Sequence, residues 1–332
     1  MKQWTKIFGA LLFIILFGLV EAMAQTVVKM GIIPSESYAP LLLAEEKGYL
    51  KEQGIKGEIV RLPSGADILA QVTTGDIQVG GGALGAAGYN AIHGKLPVKY
   101  IAPMHLAYNE DYLTVRKLDY DQGKVTKIAD LKGKPCAVNA KGVATEWQLN
   151  EMLSRVNLTI KDIDLKTMPF PEMVVALETG AITAGIITEP FATSAESKGV
   201  GIRPWKAASG AKPFPITMLF WNTPWAAKNQ EVARGFMIAY LKAVRDLCEK
   251  DSWKKPEHMA IIQKHTKVGP EVLIKTRAPS FNPNLEVDSK IMMDQQRFNL
   301  ERGYLKYETL LSVETMVDFS YADYAVKKLG RW

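Results

Sequence analysis

Small and hydroxyl-bearing residues recur where a β-rich run gives way to a helical pattern, and backbone N–H groups at such points can bind anions. Four loops of this kind are expected: 34–38, Ser64-Gly65-Ala66, Gly81-Gly82-Ala83 and 139–145. Without bulky side chains, a ligand oxygen can closely approach the N-terminus of the following helix. The loops therefore predict a site for sulfonate, carboxylate or nitrate, although the same glycines also suit tight strand-to-helix turns.

Hydroxyl and aromatic side chains near these loops complete the predicted site. A side chain added at Gly82 is expected to obstruct the ligand. Tyr38 and Trp221 are expected to form walls for an apolar part of the solute, whereas Trp147 suits either a wall or the buried face of a helix. The candidate ligand-binding residues are Ser35, Ser37, Tyr38, Ser64, Gly65, Gly82, Ala83, Asn139, Val143, Ala144, Thr145, Glu189 and Trp221.

Two acidic residues leave the chemistry of the ligand open. Glu189 follows a predicted strand, where it either caps the next helix or accepts a hydrogen bond from an N–H group of the ligand. Glu36, in the first loop, poses the same question. If both carboxyl groups line the site, a purely anionic solute is less favoured.

The elements that position these loops alternate between strand and helix. The first series has strands 27–33, 56–61, 76–79 and 98–102, with helices 39–53, 66–73 and 83–93 between them. A second series has strands 113–116, 135–139, 164–168 and 184–188 and helices 143–155 and 171–179. A strand at 215–222 precedes helices 228–250, 256–265 and 285–302. Such alternation predicts two α/β units with parallel sheets.

The first 24 residues resemble a signal peptide. Lys2 and Lys6 precede an apolar run that ends in Ala22-Met23-Ala24, an A-x-A cleavage pattern. The alternative is an uncleaved anchor, but the run is shorter than the roughly 20 apolar residues of a spanning helix. We expect secretion to the periplasm and a mature chain that begins at Gln25, without a lipid anchor because no cysteine occupies the junction.

Charge and cysteine content narrow the classes of function. Without residues 1–24 the chain keeps 39 of its 41 basic and 34 of its 35 acidic side chains, an excess of five positive charges that favours an anionic solute. The bases form no stripe interleaved with aromatic residues, which argues against nucleic acid. Cys136 and Cys248 are too far apart in sequence for a redox pair or metal cluster, and a disulfide between them stays open.

An ordered set of segments resembles one family. The first half contains Gly31-Ile32-Ile33-Pro34, Ala44-Glu45-Glu46-Lys47-Gly48-Tyr49-Leu50, Ser64-Gly65-Ala66 and Thr74-Gly75-Asp76-Ile77. The second half contains Asp130-Leu131-Lys132-Gly133-Lys134, Ala176-Leu177-Glu178-Thr179-Gly180 and Thr188-Glu189-Pro190. Together they resemble the substrate-binding proteins of ABC importers for aliphatic sulfonates, taurine, nitrate and thiamine pyrimidine precursors. The family usually has Gly-Ser in the fourth loop, where this chain has Gly142-Val143-Ala144-Thr145, so the resemblance leaves the hydroxyl contact there open.

The resemblance implies the type II periplasmic binding protein fold, with two α/β lobes, a hinge and a ligand cleft between the lobes. We expect lobe 1 to comprise 25–104 plus 216–332 and lobe 2 to comprise 105–215, with hinge crossings near 105–112 and 204–215. It also implies a protein that captures a sulfonate- or carboxylate-like anion by hinge closure and delivers it to an ABC permease with its ATPase. We expect a monomer without a cofactor.

Three other functions remain as alternatives. A thiamine pyrimidine precursor is the second ligand class. A receptor that signals to a membrane sensor would need the same cleft. The resemblance extends to pyrimidine-precursor synthases, but these depend on a Cys/His-rich iron-binding region, whereas this chain has four scattered histidines. We therefore expect no enzymatic activity.

Overall fold

Two five-stranded sheets organise the chain. The computed structural model describes residues 25–107, 113–205 and 213–332. The predicted signal peptide, 1–24, and the parts of the predicted hinge crossings at 108–112 and 206–212 lie outside the described residues.

The first sheet has the strand order β2-β1-β3-β10-β4. Its strands are β1 (Thr26–Ile32), β2 (Ile55–Arg61), β3 (Val79–Ala83), β4 (Val98–Ala107) and β10 (Phe214–Asn222). β1 pairs in parallel with β2 and β3, whereas β10 is antiparallel to both β3 and β4. All residues of β10 are buried, as expected for a strand with neighbours on both sides and helices over both faces.

The second sheet has the strand order β7-β6-β8-β5-β9. Its strands are β5 (Leu113–Arg116), β6 (Pro135–Val138), β7 (Asp164–Thr167), β8 (Ala184–Ile186) and β9 (Gly201–Ile202). β6 is parallel to β7 and β8, and β5 runs antiparallel to β8 and β9. The second sheet is thus built from one continuous stretch of chain, between the strands that complete the first.

Helices cover the sheets and fill the C-terminal third of the chain. They are α1 (Ala39–Glu46), α2 (Tyr49–Glu52), α3 (Gly65–Thr74), α4 (Ala86–His93), α5 (Lys117–Asp121), α6 (Ala144–Ser154), α7 (Phe170–Thr179), α8 (Phe191–Ser197), α9 (Thr223–Lys228), α10 (Gln230–Cys248), α11 (Pro256–Thr266), α12 (Pro270–Leu273), α13 (Ser289–Glu301), α14 (Val313–Met316) and α15 (Ser320–Leu329). Several begin at side-chain caps, such as Ser64 and Asn222, whose oxygens accept backbone N–H groups of the first turn. These caps fix where the loop or strand before each helix ends and the helix begins.

Separate hydrophobic clusters support the two sheets. The largest joins β1, β3 and β10 to α1, α10 and the C-terminal helices. A second cluster lies under the second sheet and includes Trp147, Phe214 and Phe298, so β10 and α13 also pack against it. A third cluster covers the other face of the second sheet through α7 and α8. Each sheet thus has its own hydrophobic core, the first cluster for the first sheet and the second and third clusters for the second sheet.

Some predicted elements differ from the structure. The predicted helix 39–53 is two helices, because Gly48 has a φ of 78° between them. The predicted strand 76–79 is β3 at Val79–Ala83, so the three glycines 80–82 lie inside a strand rather than in a loop. The predicted helix 83–93 accordingly begins at Ala86. β4 lies at the edge of the sheet and pairs with β10 alone among the strands, not in the parallel series that alternation indicated.

Candidate functional site

The loop after β1 meets the lobe that contains the second sheet. Residues Glu36–Tyr38 form a 3₁₀ turn, and all three are buried. Glu36 Oε1 accepts a hydrogen bond of 2.9 Å from the backbone N–H of Glu189, which follows β8. We call this the carboxyl contact, and define it by Glu36, Ser37, Thr188 and Glu189.

Glu36 carries an unusual carboxyl group at the carboxyl contact. The side chain is fully buried, and no described residue forms a hydrogen bond with its Oε2 atom. Burial raises the pKa of Glu36 well above its usual value, and the nearby charge of Glu189 adds to that shift. Burial therefore favours the protonated form of the Glu36 carboxyl group, in which the unpaired Oε2 atom can donate a hydrogen bond.

Glu189 is fully engaged by its own lobe. Its Oε1 accepts hydrogen bonds from Arg203 Nη1 at 2.5 Å and from Thr193 Oγ1 at 2.9 Å, and its Oε2 accepts the backbone N–H of Thr193 at 3.0 Å. The side chains of Glu189 and Arg203 are 0% and 1% exposed. The backbone N–H of Arg277 also lies 3.4 Å from Oε1. The carboxylate of Glu189 therefore anchors α8 and its neighbours and has little capacity left for a ligand.

Ser37 and Tyr38 face the first sheet. Ser37 Oγ lies 2.9 Å from Nδ1 of His105 on β4, and Tyr38 donates its hydroxyl to the carbonyl of Gly81 at 2.8 Å. Burial lowers the pKa of His105 to about 3, so its ring is neutral at physiological pH. Ser35 is also buried and precedes the 3₁₀ turn without capping it through its side chain. The predicted loop 34–38 is thus held rigidly against β3 and β4.

Two threonines near the carboxyl contact have unpaired hydroxyl groups. Thr188 is 2% exposed and Thr217 is 7% exposed, and neither Oγ1 atom has a hydrogen-bond partner among the described residues. Thr217 on β10 is the ladder partner of His105 on β4, so their side chains share one face of the sheet. Buried hydroxyl groups are normally paired, which makes this concentration of unpaired ones informative.

A second contact joins the lobes through backbone groups. Gly85 and Val143 form an isolated bridge, and the N–H of Ala86, at the start of α4, donates to the carbonyl of Gly142 at 2.7 Å. We call this the glycine contact, and define it by Gly85, Ala86, Gly142 and Val143. The N–H of Gly142 donates to Glu146 Oε2 at 2.6 Å. Helix N-termini predicted to bind an anion are therefore already engaged in this arrangement of the lobes.

The loops around Ser64 and Gly82 are close neighbours within one lobe. A Cβ on Gly65 would lie 3.2 Å from the Cα of Gly82. Ser64 caps α3 by accepting the N–H of Asp67 at 3.2 Å. Gly82 and Ala83 belong to β3, and a Cβ on Gly82 would lie 3.0 Å from the ring of Phe220. The expectation for Gly82 changes accordingly, because a side chain there collides with the core of its own lobe.

The fourth predicted loop is ordered by its own hydrogen bonds. Thr145 donates to Asn139 Oδ1 at 2.6 Å, and Val143 and Ala144 begin α6. Trp147 packs edge-on against Phe214, with ring centroids 4.9 Å apart, inside the second hydrophobic cluster. Of the two roles left open for Trp147, the structure places it in the core.

Trp221 lies away from the other predicted site residues. It pairs with Val79 at the start of β3 and with Lys99 near the start of β4, whereas the loops of the site follow the ends of the parallel strands. It lines a surface depression of about 680 Å³ together with Lys99 and Tyr321. Trp221 therefore does not form a wall beside Glu36. Because β10 is antiparallel to β3, Trp221 lies where β3 begins, at the other end of the strands from the site loops.

Neither cysteine is activated, and the described residues contain no cluster suited to a metal ion. Cys136 and Cys248 are both free, and burial raises their pKa values to about 12 and about 11. Within residues 25–107, 113–205 and 213–332, no group of His, Cys, Asp and Glu side chains is suited to a metal ion. None of the helices in those ranges is both long and apolar enough to cross a membrane.

Sequence reasoning missed four residues that the structure brings to the contacts. His105 and Thr217 meet only because β10, from a distant part of the chain, inserts beside β4. Thr188 appeared in the family-like Thr188-Glu189-Pro190 segment but was not selected. Gly85 lies two residues after the predicted loop Gly81-Gly82-Ala83, and a correct end for β3 would have identified it.

The two α/β lobes meet near the carboxyl ends of parallel strands of both sheets. Residues 21–263 match the family model described as the NMT1-like family. The chain belongs to that family.

Curated relatives share part of their length with this chain. The nitrate import ATP-binding protein NrtC of Synechocystis is 28% identical over 236 residues, which cover 66% of this chain and 34% of that protein. The chain thus spans about a third of the curated relative.

Solved structures confirm the predicted fold class. The alkanesulfonate-binding protein SsuA from Xanthomonas axonopodis pv. citri, bound to MOPS, has a TM-score of 0.70 at 18% identity and covers 89% of this chain and 99% of its own. The periplasmic nitrate-binding protein NrtA from Synechocystis has a TM-score of 0.73 at 18% identity, covering 92% and 89%. The desulfurization enzyme DSZB also shares the fold, with a TM-score of 0.63 at 12% identity, covering 92% and 100%. The fold alone therefore does not separate binding proteins from enzymes.

Proposed function

We propose that this protein is the periplasmic solute-binding component of an ABC importer. It captures a small organic anion, sulfonate- or carboxylate-like, between its lobes and delivers it to the permease and its ATPase. The observation that carries the proposal is the carboxyl contact, where Glu36 meets Glu189 across the lobes and buried donors remain unpaired. Relatives named for the transport of nitrate and the binding of sulfonates support the same class of function.

Closure of the lobes over the solute is the proposed mechanism. Both contacts lie at the ends of strands, and each joins one residue before α6 or α8 to one near the first sheet. A ligand that binds between the lobes can shift the balance between open and closed forms. The proposed hinge crossings, near 105–112 and 204–215, fall in sequence between β4 and β5 and between β9 and β10, where the chain passes from one sheet to the other.

The side chains at the carboxyl contact favour an anion over a thiamine pyrimidine precursor. A pyrimidine would need stacking aromatic rings and a carboxylate that accepts its N–H groups. Trp147 lies in the second hydrophobic cluster, and Trp221 lies at the other end of the strands from the site loops. The Glu189 carboxylate already accepts a hydrogen bond from Arg203. Burial raises the pKa of Glu36 and favours its protonated form, which can donate a hydrogen bond to an oxygen of an anion.

An importer component is preferred to an enzyme because the binding proteins SsuA and NrtA match with TM-scores of 0.70 and 0.73, above the 0.63 of the enzyme DSZB. The two cysteines have raised pKa values and therefore carry no thiolate near neutral pH. A role in signalling to a membrane sensor would use the same closure, and loss of solute uptake on deletion of the gene would separate the two.

Native mass spectrometry of protein purified from periplasm without refolding tests the proposal. We expect a bound small molecule that dissociates on denaturation, and a raised melting temperature when that molecule is added back. A ligand at 100 times its dissociation constant stabilises the folded form by about 2.7 kcal/mol. Turnover of the molecule into a product would instead indicate an enzyme.

A further inference from the structure

We propose that an oxyanion of the solute is held by three neutral O–H donors, those of Glu36, Thr188 and Thr217. This inference rests on the proposed function and specifies how the same site recognises its ligand. The protein would then bind a negative charge there without pairing it with an arginine or a lysine.

A chain of contacts through neighbouring residues links Glu36, Thr188 and Thr217. Glu36 Oε1 accepts the N–H of Glu189, whose neighbour in sequence is Thr188. Ser37, next to Glu36, contacts His105, and His105 is the ladder partner of Thr217. The three residues therefore surround the region where the loop after β1, the loop after β8 and the strand β10 meet.

The three groups share one unmet requirement, an acceptor. Glu36 Oε2, Thr188 Oγ1 and Thr217 Oγ1 are buried atoms without a hydrogen-bond partner in the described ranges. A protonated carboxyl and two hydroxyl groups each have one hydrogen to donate. A group with several acceptor oxygens on one atom, such as sulfonate, carboxylate or nitrate, satisfies several such donors at once.

The charged groups that act on Glu36 favour its protonated form. Glu189 faces it from the other lobe and disfavours ionisation, whereas Arg203, which favours ionisation, is held by Glu189 and Glu196. His105 contacts Ser37, the neighbour of Glu36 in sequence, and its ring is neutral. The arriving anion adds a second negative charge, which further disfavours ionisation of Glu36.

Calorimetric titration with nitrate, bicarbonate, acetate and ethanesulfonate tests the inference. For the anion that binds the native protein, Thr188→Val and Thr217→Val are each expected to weaken binding about tenfold. Glu36→Met is expected to weaken it about 100-fold, and Glu36→Gln, whose amide still donates, recovers most of that loss. Thr266→Val is the matched control, because its hydroxyl bonds within α11 to the Ile262 carbonyl.

The pH profile adds a readout that a purely structural role would not produce. Glu36 donates only while protonated, so the native affinity falls as pH rises through its raised pKa, and Glu36→Gln removes that dependence. Equal affinity in all variants would overturn the inference but leave the proposed function intact. Failure of all four anions to bind, or tighter binding of benzamidinium that is lost in Glu36→Gln, would also overturn it. A co-purified solute that lacks an acidic group would do the same without affecting solute capture.

Discussion

The carboxyl contact and the glycine contact join the same two lobes by different means. At the glycine contact, backbone groups meet each other, and the N–H groups of Ala86 and Gly142 both have acceptors. At the carboxyl contact, a side-chain oxygen of Glu36 accepts a backbone N–H, and buried oxygens of Glu36, Thr188 and the neighbouring Thr217 lack partners among the described residues. Under the proposed function, the glycine contact sets how closely the lobes approach, and a solute at the carboxyl contact contributes the missing partners.

The largest expected effect comes from removing Arg203, the cation that pairs with Glu189 of the carboxyl contact. Arg203→Met leaves the buried Glu189 carboxylate without its ion-pair partner, and breaking such a pair costs about 3–5 kcal/mol. Urea denaturation measures the loss in the free energy of unfolding. The control is Lys242→Met, because the Lys242–Glu52 pair is largely exposed and should change stability by less than about 1 kcal/mol. A similar small effect in both variants would show that Glu189 is not organised by Arg203.

The next effect separates closure from folding at the glycine contact. Gly85 has an extended backbone, with φ of 172°, so a side chain is not strained there. A Cβ at this position would nevertheless collide with the carbonyl oxygen of Gly142 in the other lobe. Gly85→Leu is expected to weaken solute binding at least about 100-fold, equivalent to about 2.7 kcal/mol, while the melting temperature of the ligand-free protein changes little.

Titration calorimetry and melting curves of the same samples measure these two quantities. Ala87→Leu, an exposed position on α4, is the control and should retain binding. If Gly85→Leu binds its solute normally, the glycine contact does not control closure.

A pH effect of intermediate size is expected from His105. The pKa of this ring is lowered to about 3 in the folded protein, against 6.5 for an ordinary histidine. Below pH 6.5 the unfolded chain therefore binds a proton that the folded chain does not, and stability is lost as pH falls toward 3. Between pH 7.5 and 5 the loss amounts to about 2 kcal/mol.

Comparison of the native protein with His105→Gln isolates this contribution. The raised pKa of Glu36 acts in the opposite direction, with stability lost as pH rises, but it is present in both proteins. Denaturation at several pH values should give a difference between the two that shrinks as pH falls from 6.5. A constant difference would show that His105 titrates normally.

The smallest expected effect comes from Trp221, at the other end of the strands of the first sheet from the site loops. Trp221→Phe removes a buried indole N–H that has no described partner, together with part of a packed ring, so a loss of about 1 kcal/mol in stability is expected. Solute affinity should not change. A loss of affinity would place Trp221 in the site, as the sequence had suggested.

The sequence predicted the class of fold and the position of the loop after β1. Strands and helices appear in the predicted order because their alternation in sequence is pronounced, and the loop 34–38 follows β1 at the expected edge. The sequence did not show whether the Glu36 carboxyl group lines the site, nor whether it is charged. Its pKa depends on burial by the second lobe and on the position of Arg203. Neither can be read from local spacing.

Strand pairing explains most of what the sequence could not show. Three successive glycines read as a loop, yet Gly80, Gly81 and Gly82 pair with β10 inside the sheet. The same pairing brings Thr217 beside His105 and places Trp221 next to Lys99, at the other end of the strands. Long-range antiparallel pairing of this kind has no local signature, so the site loops were predicted better than the side chains that complete them.

Distance measurement between the lobes tests the central claim, capture of a solute by closure, most directly. Nitroxide labels at the exposed positions Lys51 and Lys132, after replacement of both native cysteines, report on the two lobes by pulsed electron paramagnetic resonance. Saturating solute should shift the distance distribution of the otherwise native protein to shorter values, and Gly85→Leu should prevent the shift. An unchanged distribution with the solute demonstrably bound would contradict capture by closure.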